Sequence, residues 1–191
     1  MREMNRTDEQ VVSEFVSALL AWPGAASLTI RPMLPEDGDE LQELLEQCSD
    51  YSEITFGLPP GAADGQSLYL SGLELVTEGQ KILIGLSSNS VLVGVLDVLV
   101  GYPAEKIISL GLLLLHPTLR GDGVGSWLVS AIEGAATLGG FEEIEVHCLV
   151  RENISASVFW DERGYHEVRA VMFQLTDGAP RLRSVRSKLF A

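Results

Sequence analysis

The sequence predicts an α+β protein built on a mostly antiparallel sheet. Three observations carry this. Short apolar runs of strand length recur between residues 27 and 175. Helical periodicities stand before and between them. Two neighbouring runs, 81–87 and 90–102, are joined by the turn-prone pair Ser88-Asn89 and read as a β-hairpin. With 191 residues, 46% of them hydrophobic and 21% charged, the chain is expected to form one domain over residues 27–191, preceded by a helical extension at 1–26.

In the extension, Val11, Val12, Phe15 and Leu19 recur at helical spacing, Thr7 and Gln10 offer a capping box, and Pro23 marks the end. Residues 27–33 alternate as a strand. The next segment places Leu41, Leu44, Leu45 and Cys48 on one helical face behind an acidic first turn, where carboxylates complement the helix dipole. Residues 49–65 hold turn formers and isolated aromatics without a period, so they read as a loop covering a site, and 67–76 as a short helix. After the hairpin, 106–117 is a third, more deeply buried strand. Val124, Trp127, Leu128, Ala131, Ala135 and Leu138 then define a helix from about 122 to 138, stopped by Gly139-Gly140. A strand at 142–150, a helix at 152–163 closed by Gly164, and a last long strand at 165–175 follow. The tail 180–190 holds four of the thirteen basic residues.

A formal net charge of −14 argues against non-specific binding to nucleic acid, whose phosphates select basic surfaces. It leans toward a cationic or amine-bearing substrate, while the plainer reading is a set of solvated carboxylates that aid solubility. Two cysteines, Cys48 and Cys148, and three scattered histidines, His116, His147 and His166, make neither a disulfide framework nor a zinc pattern, so no metal is expected. No apolar run approaches the roughly 18 residues of a membrane span, and Glu9 and Glu14 interrupt any secretory segment. A cytoplasmic protein with no membrane partner is the expectation.

The stretch RGDGVG, residues 120–125, places three glycines at the start of a helix, although glycine there costs about 1 kcal/mol relative to alanine. Read as an adhesion tripeptide, Arg120-Gly121-Asp122 is too short to carry weight. A helix N-terminus presents backbone N–H groups without intrahelical partners at the positive end of the dipole, and glycines let that backbone approach an anion. The segment is therefore a candidate pyrophosphate cradle. A Walker loop requires Gly-Lys-Ser/Thr, which is missing. A dinucleotide fingerprint counted from Gly121 meets Ser126 where its third glycine belongs, and Glu142 or Glu143 opens its strand where the ribose-binding acid should end one.

A third pattern, R/Q-x-x-G-x-G/A, is satisfied by Arg120, Gly123 and Gly125, and some thirty residues downstream "ENISASVFWDERGY" follows N-x-x-A-x-x-F-Y-x-x-x-G-F at matching spacing. On both motifs, in that order and each in a strand-helix context, the chain from about residue 27 to 175 resembles the GNAT superfamily of acyl-CoA-dependent N-acetyltransferases. The resemblance implies a mixed, mostly antiparallel sheet of six or seven strands with helices on both sides. It implies acetyl-CoA as acyl donor, its pyrophosphate held by the backbone of Arg120, Gly121, Asp122, Gly123, Val124 and Gly125. Leu113, Leu114 and Leu115 would offer amide and carbonyl groups to the pantetheine arm and acetyl carbonyl, on a strand that splays from the next one, with Gly111 marking either a bulge or only close packing. Asn153 and Trp160 would touch the same arm, unless Asn153 only caps the turn that follows. The activity implied is direct transfer of acetyl to a primary amine, on a small molecule or a peptide, in a ternary complex without a covalent intermediate. A homodimer through the N-terminal helix or the C-terminal strand is the expected assembly.

The chain departs from the family where chemistry is concerned. Trp160 stands where many members carry a tyrosine that protonates the leaving thiolate, and indole N–H is no acid near neutral pH. Ser109 and Leu110 occupy the usual base position, and Cys148, which at a strand centre behaves as a small hydrophobe, stands at an alternative one. By chemistry alone the candidates are Asp97, in an otherwise apolar strand, and Tyr51, beside Asp50 and Glu53 in the covering segment. Against each stands a structural reading, Asp97 on the solvent face of its strand and Tyr51 in packing. The missing acid and base also leave open a non-catalytic acyl-CoA-binding or regulatory module on the same fold.

Overall fold

The computed structural model describes residues 8–21, 28–76, 80–149, 154–174 and 180–190. Thr7, Pro23 and Asn153 lie outside the described residues, as do the side chains of Val11 and Val12. Among the described residues seven strands form one sheet: β1 (Thr29–Pro32), β2 (Lys81–Ser88), β3 (Val91–Val100), β4 (Ile107–Leu115), β5 (Glu143–Leu149), β6 (His166–Gln174) and β7 (Pro180–Leu189). They lie in the order β1-β2-β3-β4-β5-β7-β6, and every adjacent pair is antiparallel except β4 and β5. This is the mixed, mostly antiparallel sheet expected. The β2–β3 hairpin turns one residue later than the sequence suggests, on Asn89 and Ser90, both at positive φ.

Among the described residues six α-helices cover the two faces. Helices α1 (Asp8–Leu20), α5 (Val124–Gly139) and α6 (Ile154–Asp161) lie on one; α2 (Gly38–Gln47), α3 (Ser49–Phe56) and α4 (Asp64–Leu70) lie on the other. Their apolar faces make two separate cores. Phe15 and Leu19 of α1, fully buried, join Leu128, Ile132 and Ala135 of α5 and Ile84, Leu96, Ile108 and Ile144 of the sheet. Phe15 and Leu19 of α1 are thus spent inside the chain, with Phe15 edge-on to Phe141 at 6.2 Å. Leu41, Leu44 and Leu45 of α2 and its C-cap Cys48 fill the second core with Leu83, Val95, Leu112 and Leu114. Among the described residues no helix is long and apolar enough to cross a membrane.

Two elements differ from the sequence reading. The segment read as a covering loop contains α3, a helix of eight residues ended by Gly57 in the left-handed conformation. Its period escapes notice because so short a helix shows its buried side only as Ser52 and Thr55. The basic tail is strand β7, inserted between β5 and β6, so the last strand runs over 180–189 rather than 165–175. Arg181, Arg183, Arg186 and Lys188 break its alternation, yet Ser184, Val185, Arg186 and Ser187 are buried, and Arg186 is neutralised by an ion pair with Asp161.

Candidate acyl-CoA and acceptor site

Strands β4 and β5 pair for only four positions, from Ile107 opposite Glu143 to Leu110 opposite Val146, and then part. The reason lies on the other edge of β4. There Asp97 of β3 pairs with Leu112 while the next residue, Val98, pairs with Leu110, so Gly111 is the extra residue of a β-bulge. The bulge reverses the alternation of β4. Ile108 and Leu110 enter the core under α5, whereas Leu112 and Leu114 enter the core under α2. A strand turned over in this way diverges from its parallel neighbour, and a wedge opens between Gly111–Leu113 and His147–Leu149.

The wedge holds a cavity of about 160 Å³ lined from both faces of the sheet. Ala156 and Trp160 of α6 close it on one side, and Tyr51 and Thr55 of α3 close it on the other, with Arg183 of β7 at its flank. Trp160 is buried and packs edge-on between Phe159 and Tyr165, each ring centroid 5.0 Å away. It is thereby fixed as a wall of the cavity. Burial raises the Tyr51 phenol above its ordinary pKa, so it keeps its proton through neutral pH.

The glycine segment stands beside the wedge. A short 3-10 turn, Pro117–Leu119, leads from β4 to residues 120–123, and α5 begins at Val124 with Gly123 as its N-cap. Gly121 and Gly123 have φ of +86° and +83°, and a Cβ built on either meets nothing within 4 Å. They therefore serve a backbone shape and an open approach, not packing. The first intrahelical bond runs from Trp127 N to Gly123 O, so the amides of Val124, Gly125 and Ser126 precede the helical ladder. Gly125 differs: its Cβ would lie 3.2 Å from the Phe159 ring, which lets α5 and α6 meet at their ends. Donor set, dipole and open space suit a diphosphate.

Leu113 lines the cavity; Leu114 pairs with Val95, and the Leu115 carbonyl accepts a hydrogen bond from Arg120 Nε at 2.8 Å. Arg120 also forms an ion pair with Asp50 of α3, and that contact holds the Asp50 carboxyl below the usual carboxylate range. Arg120 thus fastens the cradle to β4 and α3. Asp97 is buried behind Gly111, its Oδ2 3.4 Å from where a Cβ on Gly111 would stand, and lies 2.6 Å from Lys81 Nζ. It faces the second core and does not reach the cavity. Burial is the main cause that raises its pKa, and Lys81 opposes it.

Sequence reasoning missed three further groups. Arg163 stacks 3.6 Å over the Phe159 ring and donates to Phe159 O and to Ser126 Oγ, so a cation stands at the first turn of α5. The signal was present, since Arg163 stands within the second motif, directly before its glycine. Glu145, 3% exposed, pairs in register with Ser109 and is gripped by both terminal nitrogens of Arg169 at 2.7 and 2.8 Å. His147 lines the wedge one residue beyond the last β4–β5 pair.

Comparison with known proteins agrees with this geometry. No curated protein matches the sequence. Solved structures do match the fold. An acetyltransferase from Thermus thermophilus superposes with a TM-score of 0.66 at 23% identity, over 88% of this chain and 100% of its own. RimL, a ribosomal L7/L12 α-N-protein acetyltransferase, gives 0.71 at 14% identity, over 88% of this chain and 93% of its own. YncA from Salmonella typhimurium, solved with its cofactor acetyl-CoA, gives 0.60 at 13% identity, over 86% and 95%. At such identities they establish the fold alone. Residues 40–165, which span the second core, the bulge, the wedge and both motifs, match the acetyltransferase (GNAT) family, and to that family this chain belongs.

Proposed function

We propose that the protein transfers an acetyl group from acetyl-CoA to a primary amine, by direct attack within a ternary complex. The observation that carries this reading is the wedge: two strands that part at Leu110 and Val146, next to a glycine-lined helix N-terminus. The donor supplies a thioester carbonyl carbon and a thiolate leaving group. The backbone of residues 120–125 holds its diphosphate, with Arg163 adding charge at the same helix end. Trp160 and Leu113 flank the pantetheine arm. The acceptor amine enters from the α3 face, where Tyr51 offers its phenolic proton to the sulfur as charge develops there. Asp97 acts one layer back, as the ion-pair partner of Lys81 that backs the bulge at Gly111. Holding both substrates in one narrow cavity contributes much of the rate.

The α-amino group of a protein, on which RimL acts, is one acceptor class consistent with the open face; a small-molecule amine is the other. A cytoplasmic location accompanies this reading. Titration calorimetry with acetyl-CoA, followed by assay of thiol release against amino-acid amides, diamines and short peptides, tests it. Micromolar binding with turnover on at least one amine is expected. Tight binding without turnover on any of them would instead support a non-catalytic acyl-CoA-binding module.

A further inference from the structure

Among the titratable side chains that line the cavity, His147 is one that the acetyl-transfer reading leaves without a task. His147 projects from β5 immediately past Val146, the last residue paired to β4, and lines the cavity at its apex. Ile144, Val146 and Cys148 point into the core under α5, so His147 points to the opposite face, the one from which Tyr51 also reaches the cavity. Its Nε2 is shut off from solvent and has no hydrogen-bond partner among the described residues. A buried ring nitrogen without a partner is costly, and such a group is tolerated where a ligand completes it. We infer that His147 is the general base of the transfer, taking one proton on Nε2 from the acceptor's ammonium group in the wedge.

The surroundings suit that role. Burial and the nearby positive charge of Arg183 lower the His147 pKa, so the imidazole is neutral and able to accept a proton at pH 7. Glu145 on the same strand opposes this shift, and Arg169 of β6, itself bound to Glu145, adds to it. Tyr51 of α3 is kept neutral by burial, Asp97 of β3 is engaged by Lys81, and β4 contributes no charged group between Ser109 and Leu113. A base placed here removes the proton where the nitrogen meets the thioester carbon. The C–N bond then forms and the C–S bond breaks. The nitrogen's second proton leaves with the thiolate, by way of the Tyr51 hydroxyl, to give the thiol, and the proton on His147 reaches solvent through the cavity that the departing products vacate.

The inference rests on the acetyl-transfer reading, and the test separates the two. His147→Gln keeps size and hydrogen bonding but cannot act as a base. Using the best acceptor from the amine panel, kcat/KM of the wild type is expected to fall on the acid side with a midpoint below the ordinary histidine value of about 6.5. In His147→Gln the midpoint moves up to the acceptor's own pKa, because the variant can use only amine already deprotonated in solution. Activity at pH 7 drops about a hundredfold, and the deficit shrinks as pH approaches that of the free amine. Acetyl-CoA affinity stays unchanged. A deficit equal at all pH values, or activity within twofold of wild type, would overturn the role of His147 while leaving acetyl transfer intact; a wild type that turns over no amine would sink both. Independently of any acceptor, ring-nitrogen NMR of the full chain should find Nε2 unprotonated at pH 7, and a midpoint at or above 6.5 contradicts the assignment.

Discussion

Gly123→Glu should abolish useful coenzyme A binding, lowering affinity about a thousandfold. Two effects combine. A glutamate at φ of +83° is strained, at a cost of about 1–2 kcal/mol, and its carboxylate would stand in the open approach to the α5 amides. Two like charges about 4 Å apart near a protein surface repel by roughly 4 kcal/mol, which is about three powers of ten in affinity. Gly140 provides the control, since it caps the other end of the same helix at φ of +81° with nothing within 4 Å. Gly140→Glu should lose comparable stability and keep coenzyme A affinity within twofold. Calorimetry on both variants, with thermal melts, checks the pair of outcomes.

Asp97→Leu should cost about 3–5 kcal/mol of folding stability, because it leaves the Lys81 ammonium buried with no counter-charge. The Lys81 side chain is 3% exposed and that of Asp97 10% exposed, so solvent cannot take over either partner. The double variant Lys81→Met with Asp97→Leu should recover most of the loss, as an apolar pair meets no such penalty. Denaturant unfolding of the three variants measures the coupling. If Asp97 were instead a free base in the cavity, its removal would leave stability unchanged and only turnover would fall.

Much of the fold was legible because its signals are local. The apolar runs of β2 and β3 with the turn between them, the heptad-like stripe of α5 and the glycine segment each declare themselves within a dozen residues. The wedge was not local in that sense. Gly111 was readable as a candidate bulge, but its consequence, that Leu112 changes face relative to Leu110, appears only once β3 is paired against it. Arg120 matched its motif, yet its guanidinium turns away to Leu115 O and Asp50, a contact seventy residues distant in sequence. Strand β7 was hidden by its arginines, whose charges read as surface until Asp161 of a helix supplies the counter-charge for Arg186. His147 looked like one of three isolated histidines. Its setting is made by the divergence of two strands, which no pattern within β5 encodes.

The most direct measurement is the crystal structure of the full chain with acetyl-CoA bound. The account predicts diphosphate oxygens within about 3 Å of backbone nitrogens in residues 121–126, and the acetyl carbon between Leu113 and His147 in the wedge. Density for the donor on another face of the molecule, or β4 and β5 zipped together past Leu110 and Val146 with the donor excluded, would contradict it.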